Sequence, residues 1–465
     1  MHSDRIHARA GITLGQFIRF SGGSSSIPNR ERTVRINAVW NDSRKVGKGD
    51  VFVALATEND DGHAYVKNAL QQGAAAALVA RAKLPAFSGQ EKARLIVTRD
   101  PLTSLQTVAL RYRATLPCTM IGITGSSGKT TTRTFISAVL KQKLSVSETL
   151  GNWNNHIGVP LSLLRFSGKE KAGILEMGAN HKREIHVLSN IIRPDIGIVT
   201  NIGYAHIGYF GSLANILKAK FEIVDGMRRK GLLLLNGDDP LLVRRSKTAK
   251  QRVVFFGMSE RCHVRARDVR LRRGHSIEFV VGGQRYGIPM PGRHFVYAAL
   301  AAIAAAGEFG IPEKSIAEAF ASLEPLSMRG TIRKKAGVTF IVDCYNANPS
   351  SMKSGIAMLS DVAESKPKVA IVGDMLELGR YSTQQHTMLG KQLAEARVDR
   401  ILAVGDFALK IALGARTAGM AVKKIMTAPT SAKAVQKARK LVKRGDTVLL
   451  KGSRGIHLEN VLEGF

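Results

Sequence analysis
The stretch GITGSSGKTTT, Gly122 to Thr132, stands between an apolar run that begins at Pro117 and a segment of helical character. A glycine-rich turn joining a strand to a helix commits that part of the chain to a parallel α/β sheet, since parallel neighbours need a crossover to bring the chain back. Gly122, Gly125 and Gly128 let backbone N–H groups approach phosphate oxygens, Lys129 adds a positive charge, and Thr130 offers a hydroxyl to Mg²⁺ at the helix N-terminus. The strict GxxxxGK[ST] spacing requires glycine at 123, where this chain has Ile123; the spacing found is GxxGxxGKT. Gly125, Ser126, Ser127, Gly128, Lys129, Thr130 and Thr131 are the expected cradle for a nucleotide's phosphates.

The same rhythm organises most of the chain. CTMIGIT, AGILEMG and DIGIVTNI are apolar strands separated by helical sequence, which predicts a parallel sheet. Ahead of them, DVFVAL at Asp50 to Leu55 and AAALVA near Ala75 read as a small α/β unit. The stretch from Val253 to Ile288 alternates and predicts antiparallel strands carried by the middle unit, followed by a long Ala-rich helix. After Leu326, VTFIVD, VAIVGD, RILAVG and DTVLLKG restart the alternation and predict a Rossmann-like unit. With 465 residues and roughly 150 per domain, the chain divides into three α/β units, 1–113, 114–326 and 327–465.

Lys and Arg total 69 against 36 Asp and Glu, a net charge of +33. Nucleic acid or an anionic membrane surface is the usual partner of such an excess. The basic residues are dispersed, however, and the densest region, Arg228 to His275, has no aromatic interleaving for base stacking. No nucleic-acid partner is expected; the surface suits anionic substrates and peripheral contact with anionic surfaces. Cys118, Cys262 and Cys344 lie far apart with no CxxC, which argues against a disulfide framework or a zinc site and for a reducing cytosol. The N-terminal stretch lacks the apolar core of an export signal. The apolar run Ala298 to Ala306 is about half of the ~20 residues needed to span a bilayer, so no membrane insertion is expected. A monomer is the default expectation.

GNWNNHIGVPLSLL, ILEMGANHKREI, IRPDIGIVTNIGYAH, FGSLANILKAKFEI, CYNANPSSM, GDMLELG and LLKGSRG follow the phosphate loop in that order. Together with the glycine spacing they resemble the Mur ligase superfamily over nearly the whole length. NDSRKVGKGDVFVALATENDDGHAYV, Asn41 to Val66, resembles the uridine-diphosphate-binding domain of the member that adds D-alanyl-D-alanine; YNANP and GDMLELG are the discriminating pieces. The resemblance implies a three-domain α/β architecture with a central P-loop parallel-sheet domain, an N-terminal UDP-substrate domain and a Rossmann-like C-terminal ligase domain. It implies ATP-dependent joining of D-alanyl-D-alanine to UDP-N-acetylmuramoyl-tripeptide through an acyl phosphate, in the cytoplasm, with two Mg²⁺ ions.

Residue by residue, the residues also have plainer readings. Glu176 ends the strand AGILEMG at the sheet edge where α/β proteins bind ligands, though a strand-end Glu is commonly a salt-bridge partner. His206 follows DIGIVTNI at the same edge and by itself is a solvated loop histidine. Lys220 reads from pattern as a helix-surface lysine near Glu222. The resemblance makes Lys129, Glu176, His206 and Lys220 the catalytic set, with Thr130, Glu176, His206 and a CO₂-derived carbamate on Lys220 around the metals. A carbamate needs the neutral amine, and hence a lowered pKa. By the same resemblance Arg329 and Asp343 engage the nucleotide, while Asp42, Ser43, Arg44, Asn154, Asn155, Tyr345, Asn346, Asn348, Lys451, Ser453 and Arg454 contact substrate. YNANP and KGSRG are otherwise ordinary turns.

The chain departs from the family pattern at several positions. Phe295 and Ala298 stand where two asparagines usually hold adenine, a loss of ~1–3 kcal/mol if a buried partner is left unpaired. Gly208 replaces an acidic residue, and Val342 replaces the first of two aspartates, leaving Asp343. Competing readings are the ligase that adds the third peptide residue, a folylpolyglutamate synthase, or a basic non-enzymatic scaffold with a decayed nucleotide pocket.

Overall fold
A computed structural model describes residues 11–272 and 275–465. The first ten residues of the N-terminal stretch, and Arg273 and Gly274 within the basic region that ends at His275, lie outside it. The first sheet has four parallel strands in chain order, β1 (Val39–Trp40), β2 (Val51–Val53), β3 (Ala76–Ala80) and β4 (Leu95–Thr98). The second comprises β5 (Thr119–Thr124), β6 (Val146–Glu148), β7 (Ala172–Glu176), β8 (Ile196–Val199), β9 (Leu232–Asn236), β10 (Arg252–Gly257) and β11 (Val264–Arg265). All seven are parallel, in the order β11-β10-β9-β8-β5-β7-β6. Apolar runs such as LLLLN in β9, buried throughout, fit a sheet covered on both faces.

β5 lies between β8 and β7. The helix after it, Lys129–Leu140, packs on one face with Ile121, Ile123 and Ile198, whereas the helix after β7, Glu184–Ile192, packs on the other with Met120, Leu175 and Val199. The chain thus leaves neighbouring strands toward opposite faces, and the crevice at their carboxyl ends is where such sheets bind ligands.

β12 (Arg267–Arg272), β13 (Ser276–Val281) and β14 (Gln284–Ile288) form a separate antiparallel sheet. The expectation of antiparallel strands from Val253 onward holds only for these three. β10 and β11 instead extend the parallel sheet, because VVFF is a continuous apolar run rather than an alternating one. The Ala-rich helix, His294–Gly307, lies buried on the central sheet.

The last sheet joins β15 (Thr331–Lys335), β16 (Val338–Val342), β17 (Lys368–Gly373), β18 (Arg400–Val404), β19 (Ile425–Ala428) and β20 (Thr447–Lys451) in the order β15-β16-β20-β17-β18-β19. Only β15 is antiparallel. Val342, one of the departures from the family pattern, is a buried strand-end residue of this core. Cys118, Cys262 and Cys344 are buried and free. Among the described residues no helix is long and apolar enough to cross a membrane.

Candidate active site
The loop after β5 is held by the segment after β8. Ser126 N donates to Asn201 O (3.0 Å), Ser127 N donates to Asn201 Oδ1 (3.0 Å), and Thr200 Oγ1 donates to Ser127 O (2.6 Å). Gly125, at φ +141°, leaves no room for a β-carbon against Thr200 Oγ1, and Gly128 starts the helix from the left-handed region at φ +81°. Gly122 plays another part: it lies inside β5, where a β-carbon would strike Met177 and Pro194, so it serves packing and not phosphate contact. Lys129 Nζ donates to Gly125 O (2.7 Å). Desolvation in the cleft lowers the Lys129 pKa, with the Arg329 charge adding to it and Glu176 opposing.

Glu176 ends β7 with its side chain fully buried. Oε2 accepts from Thr130 Oγ1 (3.1 Å), while Oε1 lies 3.2 Å from Arg133 Nε without hydrogen-bond alignment, so both of those atoms lack a hydrogen-bond partner. A buried carboxylate oxygen with one unfilled position, next to a hydroxyl on a phosphate loop, fits an Mg²⁺ ion that takes its remaining ligands from phosphate and water. Among the described residues no three His, Cys, Asp or Glu gather into a closed metal cage.

His206 lines the same cleft, with Nδ1 2.5 Å from Glu377 Oε2 of the C-terminal lobe. That contact leaves Nε2 for the cleft, the arrangement in which a carboxylate orients a ligating imidazole. The His206 imidazole in close contact holds the Glu377 carboxyl below its ordinary pKa. His206 (φ +57°) and Glu377 (φ +64°) both sit in the left-handed region, uncommon for residues with side chains.

Lys220 is 1% exposed and lies behind the wall of the cleft, donating from Nζ to Ala179 O (3.3 Å) beneath the Phe210 ring. Desolvation first, and then the Lys129 charge, push its pKa down to about 7, with Glu184 and Glu222 opposing. The helix-surface reading of Lys220 is therefore incorrect. Apolar neighbours turn this side chain inward, although its spacing in the helix also suits a surface position.

The C-terminal lobe closes on the loop. Arg329 stacks over the Tyr345 ring (3.9 Å to the centroid) and Nη2 donates to Thr130 Oγ1 (3.3 Å); Asn348 Nδ2 donates to Ser127 Oγ (2.9 Å). Asn348 also caps the helix Pro349–Ala363. Lys451, almost wholly buried, pairs with Asp343 Oδ2 at 2.6 Å and turns that carboxylate along the cleft wall. Gly208 N donates to Glu377 O (2.9 Å), and a β-carbon on Gly208 would lie 2.8 Å from both Glu377 O and Gly379 N. An acidic side chain there has no room while this loop is docked, which explains the glycine.

Together these walls enclose a cleft of about 1010 Å³. Thr130, Glu176, His206, Asn154, Asn155, Arg329, Asp343, Tyr345, Asn346, Asn348 and Lys451 all line it. Asn155 Oδ1 also accepts from Ile157 N and Gly158 N. Ser453 and Arg454 are not in the lining: Ser453 Oγ accepts from Leu376 N (2.9 Å), and Arg454 pairs with Glu459 (2.8 Å). Asp42, Ser43 and Arg44 also lie outside it, Arg44 forming a two-pronged pair with Asp42 at 2.8 and 2.9 Å. Their neighbour Trp40 meets Trp153 edge to face at 5.8 Å, which ties β1 to the Asn154 loop.

Phe295 is a core ring, stacked parallel to Phe135 at 6.4 Å, and Ala298 lies beside the cleft on the same helix. Polar groups at this end come from residues the sequence reading did not single out. Tyr297 OH donates to Asp238 Oδ2 (3.0 Å), and Asn236 lies at the end of β9. Burial pushes the Asp238 carboxyl up, but hydrogen bonds from Ser259, Met258 and Tyr297 outweigh it and hold the pKa below the usual range. The signal was NGDD directly after an apolar strand, at the ligand-binding edge. His294, which lines the cleft near Asp343 and Lys451, is pushed down to about 4 by burial.

A nucleotide-phosphate loop facing a second α/β lobe that supplies an arginine and an asparagine to it defines a phosphate-loop ligase architecture. The chain matches the Mur ligase catalytic domain over residues 35–112, the Mur ligase middle domain over 123–306 and the Mur ligase glutamate ligase domain over 328–454, and belongs to the Mur ligase family. It is 35% identical over 451 residues to the UDP-N-acetylmuramoyl-tripeptide–D-alanyl-D-alanine ligase of Bacillus subtilis, covering 95% of each chain. It superimposes on MurF from Acinetobacter baumannii with a TM-score of 0.88 at 29% identity, over 98% of this chain and 99% of that one. The MurF ligase of Thermotoga maritima in complex with ADP gives 0.80 at 29% identity, over 92% and 96%.

Proposed function
We infer that the protein is an ATP-dependent ligase that joins D-alanyl-D-alanine to UDP-N-acetylmuramoyl-tripeptide, completing the pentapeptide precursor of peptidoglycan. The observation that carries this reading is end-to-end similarity to ligases of that activity, supported by an Arg329 and an Asn348 already seated on the phosphate loop. ATP and a nucleotide-linked precursor as substrates place the reaction in the cytoplasm.

The terminal carboxylate of the tripeptide attacks the γ-phosphorus of ATP, the bond to the β-phosphate oxygen breaks, and ADP leaves with an acyl phosphate formed. The amine of D-alanyl-D-alanine then adds to the acyl carbon. Its proton is lost, phosphate departs with the bonding pair, and the amide closes. Lys129 and Arg329 flank the transferred group and stabilise charge where it builds up, the dominant catalytic term in phosphoryl transfer. Lys451 holds Asp343 in place for the nucleotide. Docking of the loop Glu377–Gly379 on His206 and Gly208 holds the C-terminal lobe against the central one, and closure of the lobes on bound substrate keeps water from the acyl phosphate.

Thr130, Glu176 and His206 are the residues that would hold Mg²⁺, which when bound neutralises phosphate charge. Lys220 is the residue that would take up CO₂. Its neutral amine would form a bond to the CO₂ carbon and release one proton, so that a side chain whose protonated form is repelled by Lys129 would carry a negative charge attracted to it. That change would remove the like-charge contact with Lys129 and would offer a carboxylate to a second metal ion. Asp42, Ser43 and Arg44 remain assigned to the UDP end of the substrate, and Ser453 and Arg454 act by shaping the loops around the cleft.

Incubation of the purified protein with ATP, UDP-N-acetylmuramoyl-tripeptide and D-alanyl-D-alanine tests this reading. Equal yields of pentapeptide, ADP and phosphate are expected. Phosphate release that instead needs glutamate with a folate, or the third residue with the shorter peptide, would assign it to a sister ligase, and absence of ATP turnover would leave a scaffold.

A further inference from the structure
We propose that the β19 edge of the C-terminal sheet is a docking face for an anionic lipid bilayer. From Phe407 to Gly445 the chain carries ten Lys and Arg and no Asp or Glu. The fold gathers this segment at one place. β19 is the edge strand, and alternate residues of β18 show what covers it. Ile401 and Ala403 share a core with Ile411 and Ala415 of the helix Ala408–Thr417, whereas Leu402 and Val404 share one with Ala434 and Ala438 of the helix Ser431–Leu441. The two helices therefore flank the free edge from opposite faces of the sheet.

Apolar side chains stand out among these cations. Leu409 is 72% exposed and Leu413 47%, one helical turn apart on a single face, and Val422 in the following turn is 62% exposed. Lys410, Arg416, Lys423 and Lys424 are exposed beside them in the chain. Aliphatic groups that can enter the acyl boundary, with long cationic side chains to reach lipid phosphates, are the requirements of an element lying in a membrane interface. Nucleic acid fits less well. The single aromatic of the segment, Phe407, is stacked on buried His386 at 4.5 Å and offers bases nothing to stack on. None of these residues lines the cleft, so the enzyme can rest on a membrane and still turn over.

The test is flotation of the full chain with vesicles of phosphatidylcholine alone or with about 30% phosphatidylglycerol, a composition that sets the surface charge. Binding to the anionic vesicles at least ~10-fold tighter is expected at ~0.1 M salt. Lys410→Gln, Lys423→Gln and Lys424→Gln together should weaken it by ~100-fold, at roughly fivefold per cation. Leu409→Ser with Leu413→Ser should remove the binding that survives ~0.5 M salt. Arg261→Gln, Arg267→Gln and Arg270→Gln together remove the same charge elsewhere and should leave binding within about twofold. Unchanged turnover in solution reports that every variant is folded. Equal affinity for neutral vesicles, equal loss in the Arg261 set, or retention of duplex DNA without vesicle binding would overturn the proposal.

Discussion

Replacing Lys220 by Met should make the protein more stable and almost inactive. Its pKa falls from the ordinary 10.5 to about 7 on folding, and at 1.36 kcal/mol per unit the buried ammonium costs up to ~5 kcal/mol. The sign follows from linkage. The folded state binds fewer protons than the unfolded chain between pH 7 and 10.5, so stability rises with pH across that window and the full penalty applies below it. A methionine carries no such penalty. In CO₂-free buffer Lys220→Met should therefore unfold at higher temperature than the wild type at pH 6–7, with the difference shrinking toward pH 9–10. The same shift makes roughly three-quarters of the Lys220 amine neutral at pH 7.5, against about one in a thousand for an unperturbed lysine. Carbamate formation becomes accessible, and ¹³C-bicarbonate should give a carbamate resonance in the wild type that Lys220→Met lacks. Turnover should fall ~10²–10³-fold, and Lys220→Ala should regain part of it with added formate or acetate. A Lys220→Met protein that is less stable at neutral pH and retains activity would refute the reasoning.

Lys129→Ala should lower kcat by ~10³-fold or more while leaving the melting temperature unchanged or raised, because desolvation already disfavours that ammonium; steady-state kinetics with a thermal scan would check both. Gly208→Asp should impair closure: overpacking of ~1–3 kcal/mol plus the loss of the Gly208 N to Glu377 O bond, ~1 kcal/mol, predicts at least a ~30-fold fall in kcat with little change in thermal stability. A kcat within threefold of wild type would show that the loop does not need this contact.

Much of the site was legible because phosphate chemistry writes itself into contiguous residues. The loop from Gly125 to Thr131, Glu176 at a strand end and His206 just past one are local signals, and the structure brings them to one crevice. What was illegible depends on contacts far apart in sequence. Nothing local to Gly208 announces that residues 377–379 will press on it, nor does the pattern around Lys220 reveal that it is turned inward. Gly122 looks like a phosphate glycine but is a packing glycine, because the constraint comes from Met177 and Pro194 on other elements. β10 differs from the antiparallel expectation because that expectation groups its continuous run VVFF with the alternating strands that follow it, although a continuous apolar run fits a parallel sheet covered on both faces. Arg454 sits in a Gly-Ser turn of the right kind, yet Glu459, five residues on, takes its guanidinium.

The acyl-phosphate route is tested most directly by labelling the terminal carboxylate of UDP-N-acetylmuramoyl-tripeptide with ¹⁸O and analysing the inorganic phosphate released on ligation to D-alanyl-D-alanine. One ¹⁸O atom should pass from each fully labelled carboxylate to each phosphate. Pentapeptide formed with unlabelled phosphate would contradict phosphorylation of the carboxylate in this cleft.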